Sequence, residues 1–337
     1  MTRATATTPM PLFRHLAGER LFDNPAPRFR EYRRLWNERP LAAEPGAFPL
    51  FLDIEVTNLC NLRCSFCATT YFGPEVARGR IAAETVRAVL EQGAELGLYG
   101  VKFNDRGEPL LHPELFEFVR LAKRLGLVDV YFNTNAMLLD EAKAREAVAS
   151  GLDRISISVE GREAAVYEAL RRGGRFATVL ANVRRLREIR DASGSATPRI
   201  RVQSVLLPEL AGDLPGYAEF WMQWADEVAV LEPKQEADAA ARERQAHLDW
   251  ACPQLWQRMT VWWDGTILPC NEDDHGRQAL GNIRDMSIAE AWRCARIEAL
   301  RDAHRKGLAH TCPACDGCNL RDVELRKTRA AAQRSES

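Results

Sequence analysis

Three cysteines, Cys60, Cys64 and Cys67, fall within eight positions of the run EVTNLCNLRCSFCATT, and no other cysteine follows until Cys252. Thiolates three and four positions apart in a tight loop can converge on one metal centre. A structural zinc ion is closed by four ligands, and an iron–sulfur cubane is ordinarily held by four cysteines. Three ligands leave one position open, and an open position is where something else binds. A zinc site and a chance group of core cysteines are the competing readings. The polar residues Asn58, Asn61 and Arg63 in the same loop argue against the second.

A second set lies far downstream. Cys252 and Cys270 stand eighteen positions apart, and CPACDGC holds Cys312, Cys315 and Cys318. Between the first two, VWWDGTILPC reads as strand, Asp-Gly turn, strand. Cys294 sits alone in EAWRCARIEAL, which reads as mid-helix, where a packed core cysteine is expected. The start, MTRATATTPMPLF, lacks the apolar core and cleavage site of a secretory signal. Nine cysteines without such a signal argue for a reducing cytosol and metal sites rather than disulfides. A cytoplasmic location is therefore expected.

The elements that must position these residues follow from the pattern along the chain. The 337 residues are 46% hydrophobic and 28% charged, enough for a sizeable core and about two domains. The net charge of −1 gives no electrostatic footprint for nucleic acid, and no apolar run is long enough to span a membrane. The arginines around Arg184 and Arg187 sit among regularly spaced apolar residues, as on a solvated helix face. Residues 1–47 read as a polar lead and a short helix around RFREYRRLWNER, serving as a lid or brace. From Phe48, six strand candidates (LFLDIEV, GVKFND, VDVYFNT, RISISVE, RIRVQSVLL and EVAVLE) alternate with helical stretches. That alternation implies a parallel sheet flanked by helices, either an open barrel or a doubly wound sheet. In both, chemistry collects at the C-terminal ends of the strands, and the first cysteine loop directly follows the first strand. Residues 236–250 are a candidate linker, residues 251–320 a Cys-rich module, and residues 321–337 a charged tail expected to fray.

The run CNLRCSFC resembles the signature of the radical S-adenosylmethionine (SAM) enzymes, and further segments extend the resemblance over residues 50–235. It implies a partial (β/α)6 TIM-like barrel over residues 48–235. It also implies a [4Fe–4S] cluster on Cys60, Cys64 and Cys67, with SAM chelating the open iron and yielding a 5′-deoxyadenosyl radical that abstracts hydrogen. Phe66 takes the aromatic place of the signature. FNDRGEPLLHP is similar to the family's Gly-Gly-Glu element, with Arg106 in place of the first glycine; the resemblance gives Gly107 and Glu108 to the methionine ammonium. YFNTNAMLLD resembles a third-strand Thr-Asn-Gly segment, with Ala136 in place of glycine. ISISVEG implies Ser158 and Glu160 near the ribose, and LRRGGRF implies Arg171 at the SAM carboxylate.

The hairpin, the helix and the Cys-x2-Cys resemble the SPASM auxiliary-cluster extension in its halved, twitch form. That implies one auxiliary [4Fe–4S] cluster on Cys252, Cys270, Cys312 and Cys315, with Cys318 able to replace one of the last pair. The N-terminal segment is short and a second cluster motif is lacking. Both favour a small polar substrate over a peptide. The resemblance thus implies an oxidoreductase that dehydrogenates a secondary alcohol of a sugar or aminocyclitol, with a small-molecule substrate and an electron donor such as flavodoxin or ferredoxin. The alternatives are a carbohydrate epimerase using Cys294 or Cys318 as hydrogen donor, a peptide maturase, and a non-catalytic iron–sulfur or zinc protein. Arg106, His112 and His275 are proton-acceptor candidates that the sequence does not place.

Overall fold

Six short parallel strands follow one another in sequence order and form the centre of the molecule. They are β2 (Phe51–Ile54), β3 (Gly100–Lys102), β4 (Asp129–Thr134), β5 (Arg154–Ser158), β6 (Arg199–Val205) and β7 (Glu227–Leu231). They are the six runs expected from the sequence. The computed structural model describes residues 13–20, 24–234, 239–246 and 248–326. The first residues of the polar lead and the end of the charged tail lie outside that set. Helices follow the strands: α2 (Ala83–Leu96), α3 (Leu115–Arg124), α4 (Glu141–Ala149), α5 (Ala164–Leu170), α6 (Phe176–Ala192) and α7 (Leu214–Trp221). The result is a partial (β/α)6 barrel. Local signals set the helix limits. The Asp140 carboxylate caps α4 by accepting from Lys143 N at 2.9 Å, and Gly97 ends α2 with φ +94°.

Strand β1 (Phe13–Gly18) pairs antiparallel with β7, where the sequence suggested only a polar lead and a helix. Its six residues alternate weakly in polarity, so the partner edge, rather than local pattern, makes the strand. Helix α1 (Pro27–Ala42) then crosses the N-terminal end of the barrel. Phe29, Tyr32 and Trp36 share one face by helical spacing and pack on Phe51, Tyr99 and Tyr131. The segment is a brace at the barrel floor.

The other sheet edge receives the C-terminal module. Strand β8 (Arg258–Val261) pairs parallel with β2, and β9 (Thr266–Leu268) and β10 (Gly281–Asn282) extend the sheet to ten strands. Gly265, at φ +88°, closes the expected β8–β9 hairpin. Three expectations change here. The linker region holds a helix over Ala239–Ala246. Residues 319–326 are helical, with Arg321 and Val323 buried, so the start of the tail is packed rather than frayed. The run around Cys294 breaks into a short helix at Ile288–Ala291 and α8 (Ala295–Arg305). The buried Arg301 guanidinium takes the Trp292 carbonyl at 2.9 Å, occupying an acceptor that a continuous helix would use.

Candidate functional site

The cysteine loop leaves β2 at the C-terminal mouth of the barrel. Cys64 and its neighbour Arg63 form a two-residue ribbon against Arg171 and Arg172, with Cys64 opposite Arg171. Arg171 is buried and makes a bidentate ion pair with Glu160, and its Nη1 lies 3.8 Å from Cys64 Sγ. The resemblance assigned these two residues to separate ends of SAM; the structure joins them, leaving spare donors on the guanidinium. Phe66 lies beneath the same guanidinium, at 5.5 Å. Burial raises the Cys60 and Cys64 thiols, Cys64 to about 11, with Arg171 pulling Cys64 back down.

Gly107 presses the next loop onto the cysteines. Its φ is +75°, and a Cβ there would stand 2.4 Å from Thr57 O and 2.7 Å from Leu59 O. No side chain fits this approach. Glu108 is buried and accepts from Thr134 Oγ1 (2.7 Å), Asn135 N (2.8 Å) and Leu110 N (3.1 Å). It therefore ties the loops after β3 and β4 together, and three donors already use most of its capacity for a ligand ammonium. Ala136, where the family has glycine, keeps φ at +56°, a left-handed backbone that costs a non-glycine residue about 1–2 kcal/mol. The Asn135 amide donates to Asn61 Oδ1 at 2.9 Å and lies 4.0 Å from Cys60 Sγ, a support for the loop that the sequence reading missed. Ser158 ends β5 beside Gln203.

Arg106 departs from the glycine of the family, and its position explains the departure. Its guanidinium grips Glu55, fully buried at the end of β2, at 2.6 and 2.9 Å. It also stacks 3.4 Å from the ring centroid of Trp262, beyond β8. The residue latches the barrel to the C-terminal module and is no proton acceptor. His112 is buried with both ring nitrogens engaged, by Ile81 O and Glu114 N, and does not line the main cavity.

That cavity, about 580 Å³, fills the barrel mouth. Phe66 and Cys67 line one side; Cys318 and Glu272 line another. Its floor is made of buried ion pairs: Asp53 with Lys102 (2.6 Å) and Arg258 (3.1 Å), Asp129 with Arg154 (2.8 Å), and Glu227 with Arg201 (2.6 Å). Asp105 follows β3 into the cavity and accepts from Trp262 Nε1 at 3.0 Å. Burial pushes its carboxyl up to about 7, against the opposing pull of Lys102 and Lys234. His275 lines the mouth and packs on Phe72.

A tighter hollow adjoins the cavity. Cys252, Cys270, Cys315 and Cys318 line it, and Cys312 does not. Instead Cys312 packs among Leu255, Trp256 and Leu300. Of the three cysteines in CPACDGC, Cys315 and Cys318 line the hollow. Cys318, Glu272 and Ala314 belong to both the hollow and the cavity. Burial raises all four thiols, Cys252 to about 12 and Cys318 to about 11; neighbouring thiolates add to the rise at Cys252, Cys270 and Cys315, and the Glu272 carboxylate adds to it at Cys318. Buried sulfurs that repel one another as thiolates suit a polycationic iron centre. Arg321 adds a second sign of fit, since its buried Nε and Nη1 have no hydrogen-bond partner among the described residues and it lines the same hollow. Among the described residues no three His, Cys, Asp or Glu converge as one ion requires. A cluster of several irons holds its thiolates farther apart. Cys294 stands at the N-cap position of α8 without a side-chain capping bond, lines neither space, and packs at the edge of the main core. The hydrogen-donor role suggested for it has no geometric support.

A family model described as the radical SAM superfamily matches residues 54–197, and one described as an iron–sulfur cluster-binding domain, SPASM, matches residues 252–319. A radical SAM domain is thus followed along the chain by a SPASM iron–sulfur domain. The cofactors are accordingly SAM with a [4Fe–4S] cluster, and auxiliary iron–sulfur binding in the SPASM region. This radical SAM protein is similar to the tungsten-containing aldehyde ferredoxin oxidoreductase cofactor-modifying protein of Pyrococcus furiosus, at 24% identity over 81% of this chain and 88% of that one. It resembles the PqqA peptide cyclase of Gluconobacter oxydans at 40% identity, over 33% of this chain and 30% of the relative. Among solved structures, BtrN in complex with AdoMet and 2-DOIA aligns with TM-score 0.54 and 18% identity, over 81% of this chain and 94% of that chain. SuiB of Streptococcus suis aligns with TM-score 0.59 and 14% identity, over 89% and 78%. At such identities the structural likeness shows the fold. Among the described residues no helix is long and apolar enough to cross a membrane.

Proposed function

We propose that this radical SAM protein oxidises a secondary alcohol on a small, polar, carbohydrate-like substrate. The carrying observation is the shared wall: Cys318 and Glu272 border both the auxiliary hollow and the cavity that the first cysteine loop opens into. In this reading Cys60, Cys64 and Cys67 hold the SAM-bound cluster, and Cys252, Cys270, Cys315 and Cys318 hold the auxiliary one. When bound, these groups supply a hydrogen-atom acceptor on one side of the substrate and a one-electron sink on the other.

The residues of the chain do the rest. Asp105 takes the hydroxyl proton, and a carboxyl raised toward neutrality is matched to that task at neutral pH. Trp262 orients it through the 3.0 Å hydrogen bond. The paired charges of the floor and the brace α1 close the far end against water. The charged lining suits a polyol or amino-polyol better than an apolar ligand. Among the described residues, the cysteines of the cavity are Cys67 and Cys318, both in the proposed ligand sets. This disfavours an epimerase that returns hydrogen from a free thiol. A peptide substrate is the second reading, favoured by the match to PqqA peptide cyclase.

Anaerobic incubation of the reconstituted enzyme with inositols, aminocyclitols and hexosamines, and separately with short peptides, tests the reading. Oxidation predicts one ketone per 5′-deoxyadenosine and no solvent deuterium in the product. Deuterium at an inverted carbon would establish epimerisation, and a cross-linked peptide would establish the second reading.

A further inference from the structure

Arg321 lies three positions after Cys318, in the helical turn that begins at residue 319. Its side chain is 1% exposed. Nη2 donates to Gln245 O at 2.7 Å, while Nε and Nη1 meet no acceptor among the described residues. A guanidinium with two idle donors is costly to bury unless an anion stands before it. Arg321 shares the wall of the hollow with Cys252, Cys270, Cys315 and Cys318. His304, on α8, stands in the same wall. Its Nδ1 accepts from Cys252 N at 3.1 Å, which places the ring proton on Nε2, 3.3 Å from Cys315 Sγ.

We propose that Arg321 and His304 donate N–H hydrogen bonds to the sulfur shell of the auxiliary cluster and thereby raise its reduction potential, setting it up to receive an electron. The physical basis is general. The sulfurs of an iron–sulfur cluster carry more negative charge after reduction. N–H donors and a nearby fixed cation therefore favour the reduced form. Arg321 supplies both a cation and donors; His304 supplies a donor while neutral. Glu272, on the same wall, acts in the opposite sense, and Lys234, 3.8 Å from its carboxylate, offsets part of that charge. Arg321 and His304 are positioning residues, since they act on the cluster and not on the substrate.

The inference rests on the proposed ligand set and on the electron-sink reading, but its test needs no substrate. In the full-length Cys60→Ala/Cys64→Ala/Cys67→Ala background only the auxiliary cluster remains to titrate. Potentiometry followed by electron paramagnetic resonance reads its midpoint. Arg321→Met is expected to shift the reduction equilibrium about tenfold toward the oxidised form, which is about 59 mV for one electron. His304→Phe shifts it in the same direction, and Arg321→Lys recovers most of the first loss. An unchanged midpoint in both Arg321→Met and His304→Phe, at full auxiliary iron content, overturns the proposal. A second measurement needs neither variant to assemble. With Arg321 and His304 in place, the reduced cluster should couple magnetically to exchangeable protons, and their absence also overturns it. The expected shift without any ketone product would sink the functional reading alone and leave this inference standing.

Discussion

Arg106→Met is the sharpest structural test, because this residue occupies a position where the family carries glycine. The substitution removes a guanidinium that is 6% exposed and leaves Glu55, 0% exposed, facing a methyl group. Among the described residues Glu55 then keeps only backbone donors, Arg106 N at 3.1 Å and Trp263 N at 3.5 Å. Breaking a buried pair by deleting one partner costs about 3–5 kcal/mol. The stack on Trp262 at 3.4 Å contributes about 1–2 kcal/mol more, partly overlapping the first figure. A loss of about 4–5 kcal/mol is a large part of the 5–15 kcal/mol that holds a typical domain together. The assay is anaerobic urea unfolding of the holoenzyme followed by tryptophan fluorescence, with Glu55→Gln/Arg106→Met as partner variant. The neutral amide should recover more than half of the loss, because the unpaired buried charge is gone. A loss below about 1 kcal/mol in Arg106→Met, the range of exposed pairs, would refute the buried-latch account. So would a double variant no better than the single one.

Other predictions concern the site. Asp105→Asn should leave substrate-triggered 5′-deoxyadenosine formation in place while ketone output falls by about 10²-fold or more. The parent rate should rise with pH through about 7, because the raised carboxyl must lose its proton to act, and the variant profile should be flat there. Cys318→Ser should cost the reconstituted protein about four irons, whereas Cys312→Ser should keep them; iron and sulfide analysis reads both. Gly107→Ala should lower iron at the first loop and abolish SAM cleavage, since its Cβ would sit 2.4 Å from Thr57 O on a backbone at φ +75°. Normal first-loop iron in that variant would contradict the close approach.

Much of this protein was legible one residue at a time. The six parallel strands were visible because each is a short apolar run bounded by turn residues, and period and punctuation are local properties. The thiol loop was visible for the same reason: Cys60, Cys64 and Cys67 are neighbours in the chain before they are neighbours in space. Strand β1 was not visible, because Phe13–Gly18 becomes a strand only by pairing with β7 more than 200 residues away. The helical start of the tail was hidden likewise, since Arg321 and Val323 are buried by partners their own pattern does not name.

Tertiary structure alone decided how the groups combine. Three cysteines in CPACDGC are equivalent by spacing; the fold turns Cys315 and Cys318 to the hollow and packs Cys312 into an apolar cluster. Asp105 reads as an ordinary loop carboxylate until burial, working against the pull of Lys102 and Lys234, raises its carboxyl to about 7. Arg106 reads as a departure from a motif until Glu55 and Trp262 close on it. Sequence carries the chemistry that one loop can hold. Burial, charge pairing and the shared wall between two cavities come from segments that meet only when the chain folds.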